Sequence, residues 1–282
     1  MSPISRPPAI FVPKRSLGQN FLVDQRIIGR VVDACDFASD ETVLEIGPGQ
    51  GALTREILPR VKAVIAVEAD RVLAARMEAD FARRNITVHH ADILKFDLAL
   101  LPQPVKVFGN IPYNISTPII VRAIMNRTMF TTLFITVQYE FGLRLVAVPG
   151  TKDYSSLSCF VQMFAKPQML FRISPGAFRP SPKVTSCFMR MDLRRGKPAE
   201  EVWSEAYFVR VVRTAFQQRR KNLLNSLGVF ASKDRLGLLF EVAGVDPQAR
   251  AGDLTVAQYA RIANGLQEVF SAGEWKGTEE LV

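Results

Sequence analysis

Two short runs in this sequence carry residue types suited to chemistry. In FGNIPYNIST, residues 108–117, an asparagine, a proline and a tyrosine leave an apolar stretch together. The Asn110 side-chain carbonyl and a backbone carbonyl beside Pro112 both accept hydrogen bonds. Proline offers no N–H of its own and stiffens the loop that presents these acceptors. Tyr113 adds an aromatic face, so the loop suits a planar group that carries an amine. In EIGPGQG, residues 45–51, the glycines at 47, 49 and 51 let the backbone approach a ligand closely at the end of a strand. Their spacing is G-x-G-x-G, which is not the G-x-G-x-x-G of a dinucleotide site, and no Lys-Ser/Thr pair follows as in a phosphate loop. The motif implies a tight turn without a phosphate cradle.

Two acids complete this set. Glu68 ends the second strand of the pattern, in AVIAVEAD, and an ionised carboxylate there accepts both hydroxyls of a ribose. Asp92 follows the third, in HHADIL, placed to accept from the amino group of an adenine. Taken singly, Glu68 is more commonly a solvated strand-end acid, and the glycines could merely shape a turn. Three such features at three successive strand ends compound into a nucleoside site, and one without a pyrophosphate cradle points to S-adenosylmethionine.

The elements that must position these residues follow from periodicity. Short β-branched runs at 42–46, 63–67, 86–90, 105–109 and 133–137 alternate with amphipathic stretches at 51–58, 71–84 and 117–125. That is the signature of βα units on a doubly wound α/β sheet. Another strand is expected at 170–173, and residues 184–193 alternate as one more after a proline-rich loop. The charged segment 194–200 reads as a linker. Beyond it apolar residues recur at helical spacing (Phe208, Val211, Val212, Ala215; Leu223, Leu224, Leu227; then 236–242 and 256–270), so residues 196–282 are expected to form a small helical domain behind a catalytic domain at 1–195. The end of the chain reads as frayed.

At 282 residues and 48% hydrophobic the chain supports a sizeable core. No apolar run reaches the roughly 18 residues of a membrane helix, and the first residues lack the apolar core of a secretory signal. The expectation is a cytoplasmic protein without a membrane partner. Three scattered cysteines and two adjacent histidines, His89 and His90, indicate neither a disulfide framework nor a metal site. The net charge of +9 fits a nucleic-acid partner. Residues 1–195 hold 25 Lys/Arg against 16 Asp/Glu, the whole excess, while the remainder balances at 11 of each. Within that balanced part Arg210, Arg213, Arg219, Arg220 and Lys221 lie together without an acid between residues 207 and 222.

The order E-I-G-P-G-Q-G, V-E-A-D, A-D-I-L, G-N-I-P-Y resembles class I methyltransferases that modify adenine N6 in RNA. KRSLGQNFLVD at 14–24, FRPSPKVTS at 178–186, AFQQRRKNLLNSL at 215–227 and DLTVAQYARIANGL at 253–266 are similar to the small-subunit ribosomal RNA adenine dimethyltransferases, the KsgA/Dim family. The resemblance spans residues 14–266. It implies methyl transfer from S-adenosylmethionine, without metal, to two adjacent adenines in a hairpin near the 3′ end of small-subunit rRNA, free or in an assembling subunit. It also implies a monomer, cofactor contacts from Asn20 and Leu22, and Phe178 stacked on the adenine face opposite Tyr113. Asn110 then also borders the cofactor. Lys14 and Arg15, with the cluster from Arg210 to Lys221, would contact phosphate. From sequence alone, Asn20 reads only as a cap for a helix starting near Asp24. Tyr139, Leu143 and the Tyr154-Ser155 pair depart from the family's usual Lys, acid and Tyr-Gly. Relatives that methylate large-subunit rRNA share the N-I-P-Y core and stand second. Behind them come a nucleic-acid-binding factor on the same fold and a small-molecule methyltransferase.

Overall fold

The computed structural model describes residues 19–102, 104–194 and 198–270. Lys14, Arg15, part of the expected linker and the chain end after residue 270 lie outside them. A seven-stranded sheet in the order β4-β3-β2-β5-β6-β9-β7 forms the frame. Strands β2 (Thr42–Ile46), β3 (Ala63–Glu68), β4 (Ile86–His90), β5 (Val105–Gly109) and β6 (Phe130–Gln138) are parallel; β9 (Ser186–Leu193) and β7 (Ala165–Ile173) add antiparallel at one side. The expected strands stand at or within a few residues of these bounds. The chain order reverses between β2 and β5, and ligands of open α/β sheets bind at the carboxyl ends beside such a switch point. EIGPGQG leaves β2 and NIPY leaves β5, so both motifs open onto that crevice.

Helix α1 (Gln25–Ala34) precedes β2; α2 (Ala52–Ile57), α3 (Arg71–Asp80) and α4 (Ser116–Met125) connect parallel strands, with α5 (Tyr139–Val146) and α6 (Ser156–Phe164) after β6. The cap of α1 is Asp24, not Asn20: its Oδ1 accepts from the backbone N–H of Arg26 at 2.9 Å and Ile27 at 3.3 Å. The strand expected at 170–173 is the end of the longer β7. Its first half carries Lys166, Pro167 and Gln168, a polar break after the apolar run of α6 that reads as a loop, yet the chain is already extended from Ala165. Pro167 is tolerated because β7 is an edge strand.

After the linker come α7 (Glu205–Gln217), α8 (Leu223–Ser226), α9 (Lys233–Ala243) and α10 (Val256–Phe270). Their apolar faces share one core with the sheet: Leu44, Leu133 and Phe164 belong to the same buried cluster as Phe208, Tyr259 and Leu266. An ion pair between Arg127 and Glu205 and a backbone bond from Gly150 N–H to the Gly252 carbonyl, 2.8 Å, join the two parts. The other sheet face packs on α1 and α2 through Val43, Val64, Ile57, Phe108 and Phe188.

Gly109, where β5 delivers the chain to NIPY, is a close-approach glycine: a Cβ there would stand 2.5 Å from the Ile46 carbonyl oxygen. Gly109→Ala is expected to cost about 1–3 kcal/mol by forcing β2 and β5 apart. Urea unfolding measures it, and an unchanged midpoint would refute this packing constraint.

Candidate active site

A cavity of about 370 Å³ opens at the switch point, within the range of small-ligand sites. It is walled by the turn after β2, the ends of β3 and β4, the NIPY loop and the segment from Gln19 to Val23. That last segment is held across the mouth by β1 (Phe21–Leu22), which pairs antiparallel with β8 (Phe178–Arg179), and by Val23 N–H donating to the Ala177 carbonyl at 2.9 Å.

The glycine turn is built as its sequence requires. Gly47, Gly49 and Gly51 have φ of 64°, 59° and 75°, the left-handed region that other residues avoid. A Cβ on Gly49 would meet the Phe21 ring at 2.9 Å. Gly47 and Gly49 border the cavity; Gly51 does not, and instead starts α2 against Phe81 and Met77.

Glu68 is 6% exposed and locks this turn. Its Oε2 accepts from Gly49 N–H at 3.0 Å and its Oε1 from Asp70 N–H at 2.9 Å. Each oxygen keeps a further lone pair for a ligand hydroxyl. Burial raises the Glu68 pKa, opposed by those backbone bonds. Asp92, exposed at the cavity wall, gives Oδ1 to Leu94 N–H at 2.9 Å, leaving Oδ2 for a donor such as an adenine amine. Arg122 of α4 donates to the Leu94 and Phe96 carbonyls and clamps the segment that carries Asp92.

Sequence reasoning passed over Glu45. It is 1% exposed, borders the cavity and accepts from the Thr54 hydroxyl at 2.6 Å. Burial pushes its carboxyl up to about 8; the Thr54 bond opposes this and the Glu68 charge adds to it. The signal was present: an acid inside an otherwise apolar central strand. A buried acid facing a ligand cavity suits a cationic ligand, whose charge favours the ionised form. A sulfonium compound with an amino group, S-adenosylmethionine, fits that demand.

The NIPY loop meets this pocket with Asn110, Pro112 and Tyr113 on its wall. Asn110 Nδ2 donates to the Asn20 carbonyl at 2.7 Å. A carbonyl can only accept, so this bond fixes which end of the amide faces which way, leaving the side-chain oxygen as acceptor for an incoming amine. Tyr113 begins a 3-10 turn (Tyr113–Ile115) and its hydroxyl bonds Ser186 Oγ at 2.6 Å. Burial raises the Tyr113 pKa, so the phenol keeps its proton.

Asn20 and Leu22 line the cavity, but Phe178 does not. Its ring is 0% exposed in the core beneath the β1–β8 pair, opposite Leu22, where no base can reach it. The apolar environment offered by α1 and β9 outweighs the rim position that motif reading gave it. The residues Arg210, Arg213, Arg219, Arg220 and Lys221 are all exposed. Two of them are partly occupied: Arg210 lies 5.4 Å over the Phe230 ring, and Arg219 donates to the Tyr154 carbonyl at 2.8 Å. Among the described residues no group of three His, Cys, Asp or Glu is placed to hold a metal, and no helix is long and apolar enough to cross a membrane.

This sheet, with a glycine turn and a strand-end acid at its switch point, defines a class I methyltransferase that uses S-adenosylmethionine. Residues 10–268 match the model of the ribosomal RNA adenine dimethylase family, to which the chain belongs. A protein named ribosomal RNA small subunit methyltransferase A from Aromatoleum aromaticum is 42% identical over 253 residues, 89% of this chain and 93% of that one. One of the same name from Moorella thermoacetica is 39% identical, covering 91% and 93%. Among solved structures, the 23S rRNA methyltransferase ErmE superposes with TM-score 0.69 at 28% identity, over 88% of this chain and 100% of that one. A dimethyladenosine transferase from Plasmodium falciparum shares the fold with TM-score 0.73 at 24% identity, over 86% and 95%.

The raised Glu45 pKa has a thermodynamic consequence. Between about 4.5 and about 8 the folded protein holds a proton that the unfolded chain has lost, so this group's contribution to stability falls as pH rises through that window. Glu45→Gln removes the titration while keeping an acceptor for Thr54. Denaturant unfolding at pH 5 and pH 8 should show a smaller difference in the variant than in the wild type; equal differences would show that Glu45 does not titrate there.

Proposed function

We propose that this protein transfers methyl groups from S-adenosylmethionine to N6 of two adjacent adenosines in a hairpin near the 3′ end of small-subunit rRNA, giving dimethyladenosines. The observation that carries the chemistry is the Asn110 amide, held by its Nδ2 to the Asn20 carbonyl on the cavity wall that it shares with Tyr113. When bound, S-adenosylmethionine supplies a methyl group activated by a sulfonium. The chain's residues do the rest by position. Gly47 and Gly49 let the backbone close on the cofactor, Glu68 accepts its ribose hydroxyls, Asp92 accepts from its adenine amine, and Asn20 and Leu22 cover it. The lone pair of the target amine is delocalised into its ring. Asn110 Oδ1 and the carbonyl beside Pro112 accept from that amine and turn the lone pair toward the methyl group. The base leaves its stack to reach them, and the Tyr113 face holds it, a contact worth about 1–3 kcal/mol. No group in the loop acts as a strong base, and none is needed, because the proton leaves after the amine has become a cation.

The small subunit is favoured as substrate by the higher identity to proteins named for it, 42% against 28% for the 23S enzyme. Contact with phosphate falls to Lys14 and Arg15 and to Arg210, Arg213, Arg220 and Lys221, with residues 196–282 as an RNA-binding domain in a cytoplasmic monomer. Arg219 serves in part to tie α7 to the loop before α6.

The test is incubation with labelled S-adenosylmethionine and unmodified small subunits or, separately, unmodified large subunits, mapping methylated bases by mass spectrometry. Dimethyladenosine at two adjacent small-subunit positions is expected; label confined to large subunits, or none in either, would refute the assignment. In the same assay Asn110→Ala should lower turnover at least about 100-fold while calorimetric affinity for S-adenosylmethionine changes only a few-fold. Glu68→Ala should instead weaken that affinity at least about 10-fold, since it removes charge-assisted bonds to the ligand and to the glycine turn together. Wild-type behaviour in either variant would overturn the role given to that residue.

A further inference from the structure

Ser186 is the last residue of the FRPSPKVTS run and the first of β9. It is 0% exposed, and its backbone is gripped on both sides, opposite Gln138 of β6 and Ile173 of β7. The next backbone contact strengthens the grip: Tyr139 N–H donates to the Thr185 carbonyl at 2.9 Å. Tyr113 is the opposite case. It sits on a three-residue 3-10 turn that has no side-chain cap and no buried residue, so the turn alone leaves its ring free to tilt. The 2.6 Å bond between Tyr113 Oη and Ser186 Oγ ties the half-buried ring to the sheet.

We infer that Ser186 is a positioning residue for methyl transfer: its hydroxyl sets the tilt of the Tyr113 ring and so the angle at which the target amine meets the methyl group. This rests on Tyr113 holding the target base, as proposed above. Two properties follow. The bond acts on the RNA side of the site, because Ser186 does not border the cavity whereas Tyr113 does. It also acts only through Tyr113, so removing either hydroxyl should have one and the same effect.

The experiment compares wild type, Ser186→Ala, Tyr113→Phe and the double variant in single-turnover methylation of unmodified small subunits, with S-adenosylmethionine affinity by calorimetry. Tyr113→Phe keeps the stacking ring and leaves the Ser186 backbone untouched, so it carries the test even where Ser186→Ala folds poorly. Each single variant should slow methyl transfer about 3- to 10-fold, the range of one lost hydrogen bond. The double variant should be no slower than the singles, and cofactor affinity should stay within about 2-fold of wild type. A wild-type rate in Tyr113→Phe, a double variant slowed by the product of the two single effects, or a parallel loss of cofactor affinity would overturn the inference. An inactive wild type would instead overturn the substrate assignment.

Discussion

The site depends on one hydrogen bond between distant parts of the chain, from the Asn110 amide to the Asn20 carbonyl. An asparagine side chain is nearly symmetric in shape but opposite in polarity at its two ends. Left alone beside a cavity, it would offer a donor as readily as an acceptor, and a donor would repel an amine. The Asn20 carbonyl removes that ambiguity. The segment that supplies it also walls the cavity, so in the proposed reaction the part of the chain that covers one reactant orients the group that receives the other.

The remaining structure keeps the partners of that bond in place. β5 brings Asn110 to the switch point because Gly109 lets it lie against Ile46. The Gln19–Val23 segment stays across the mouth because β1 pairs with β8 and Phe178 fills the core beneath it. Phe178 therefore serves the site from below, as support for the strand that carries Leu22, in place of a stacking surface. On the cofactor side Glu68 binds the backbone of the glycine turn it faces, so ligand acceptor and turn geometry are set by one side chain. The helical C-terminal part shares the sheet's core, which ties the basic face of α7 to the sheet.

Much of this was legible in the sequence, for identifiable reasons. The parallel strands announce themselves as β-branched runs, and Thr42–Ile46 and Val105–Gly109 fall where periodicity puts them. Gly47, Gly49, Glu68, Asp92 and Asn110 converge because strand ends on a parallel sheet must lie along one edge. What could not be read depends on side-chain direction and long-range contact. Nothing local tells that Phe178 points inward, that the Asn20 backbone carbonyl receives the Asn110 amide, or that Gly51 serves packing against Phe81. The first half of β7 was hidden because Lys166-Pro167-Gln168 breaks the apolar pattern and reads as a loop, although an edge strand tolerates it. Glu45 was overlooked since the glycines around it explained the motif without it.

The most direct test of the account is Asn110→Asp, which keeps an acceptor oxygen of the same reach but has no N–H for the Asn20 carbonyl. Single-turnover methylation of unmodified small subunits, with cofactor affinity measured alongside, isolates orientation from acceptor chemistry. If the Asn20 bond sets the site, the rate should fall at least about 100-fold with cofactor affinity preserved within a few-fold. Methyl transfer by Asn110→Asp at the wild-type rate would contradict it, because an acceptor without that anchor would then suffice.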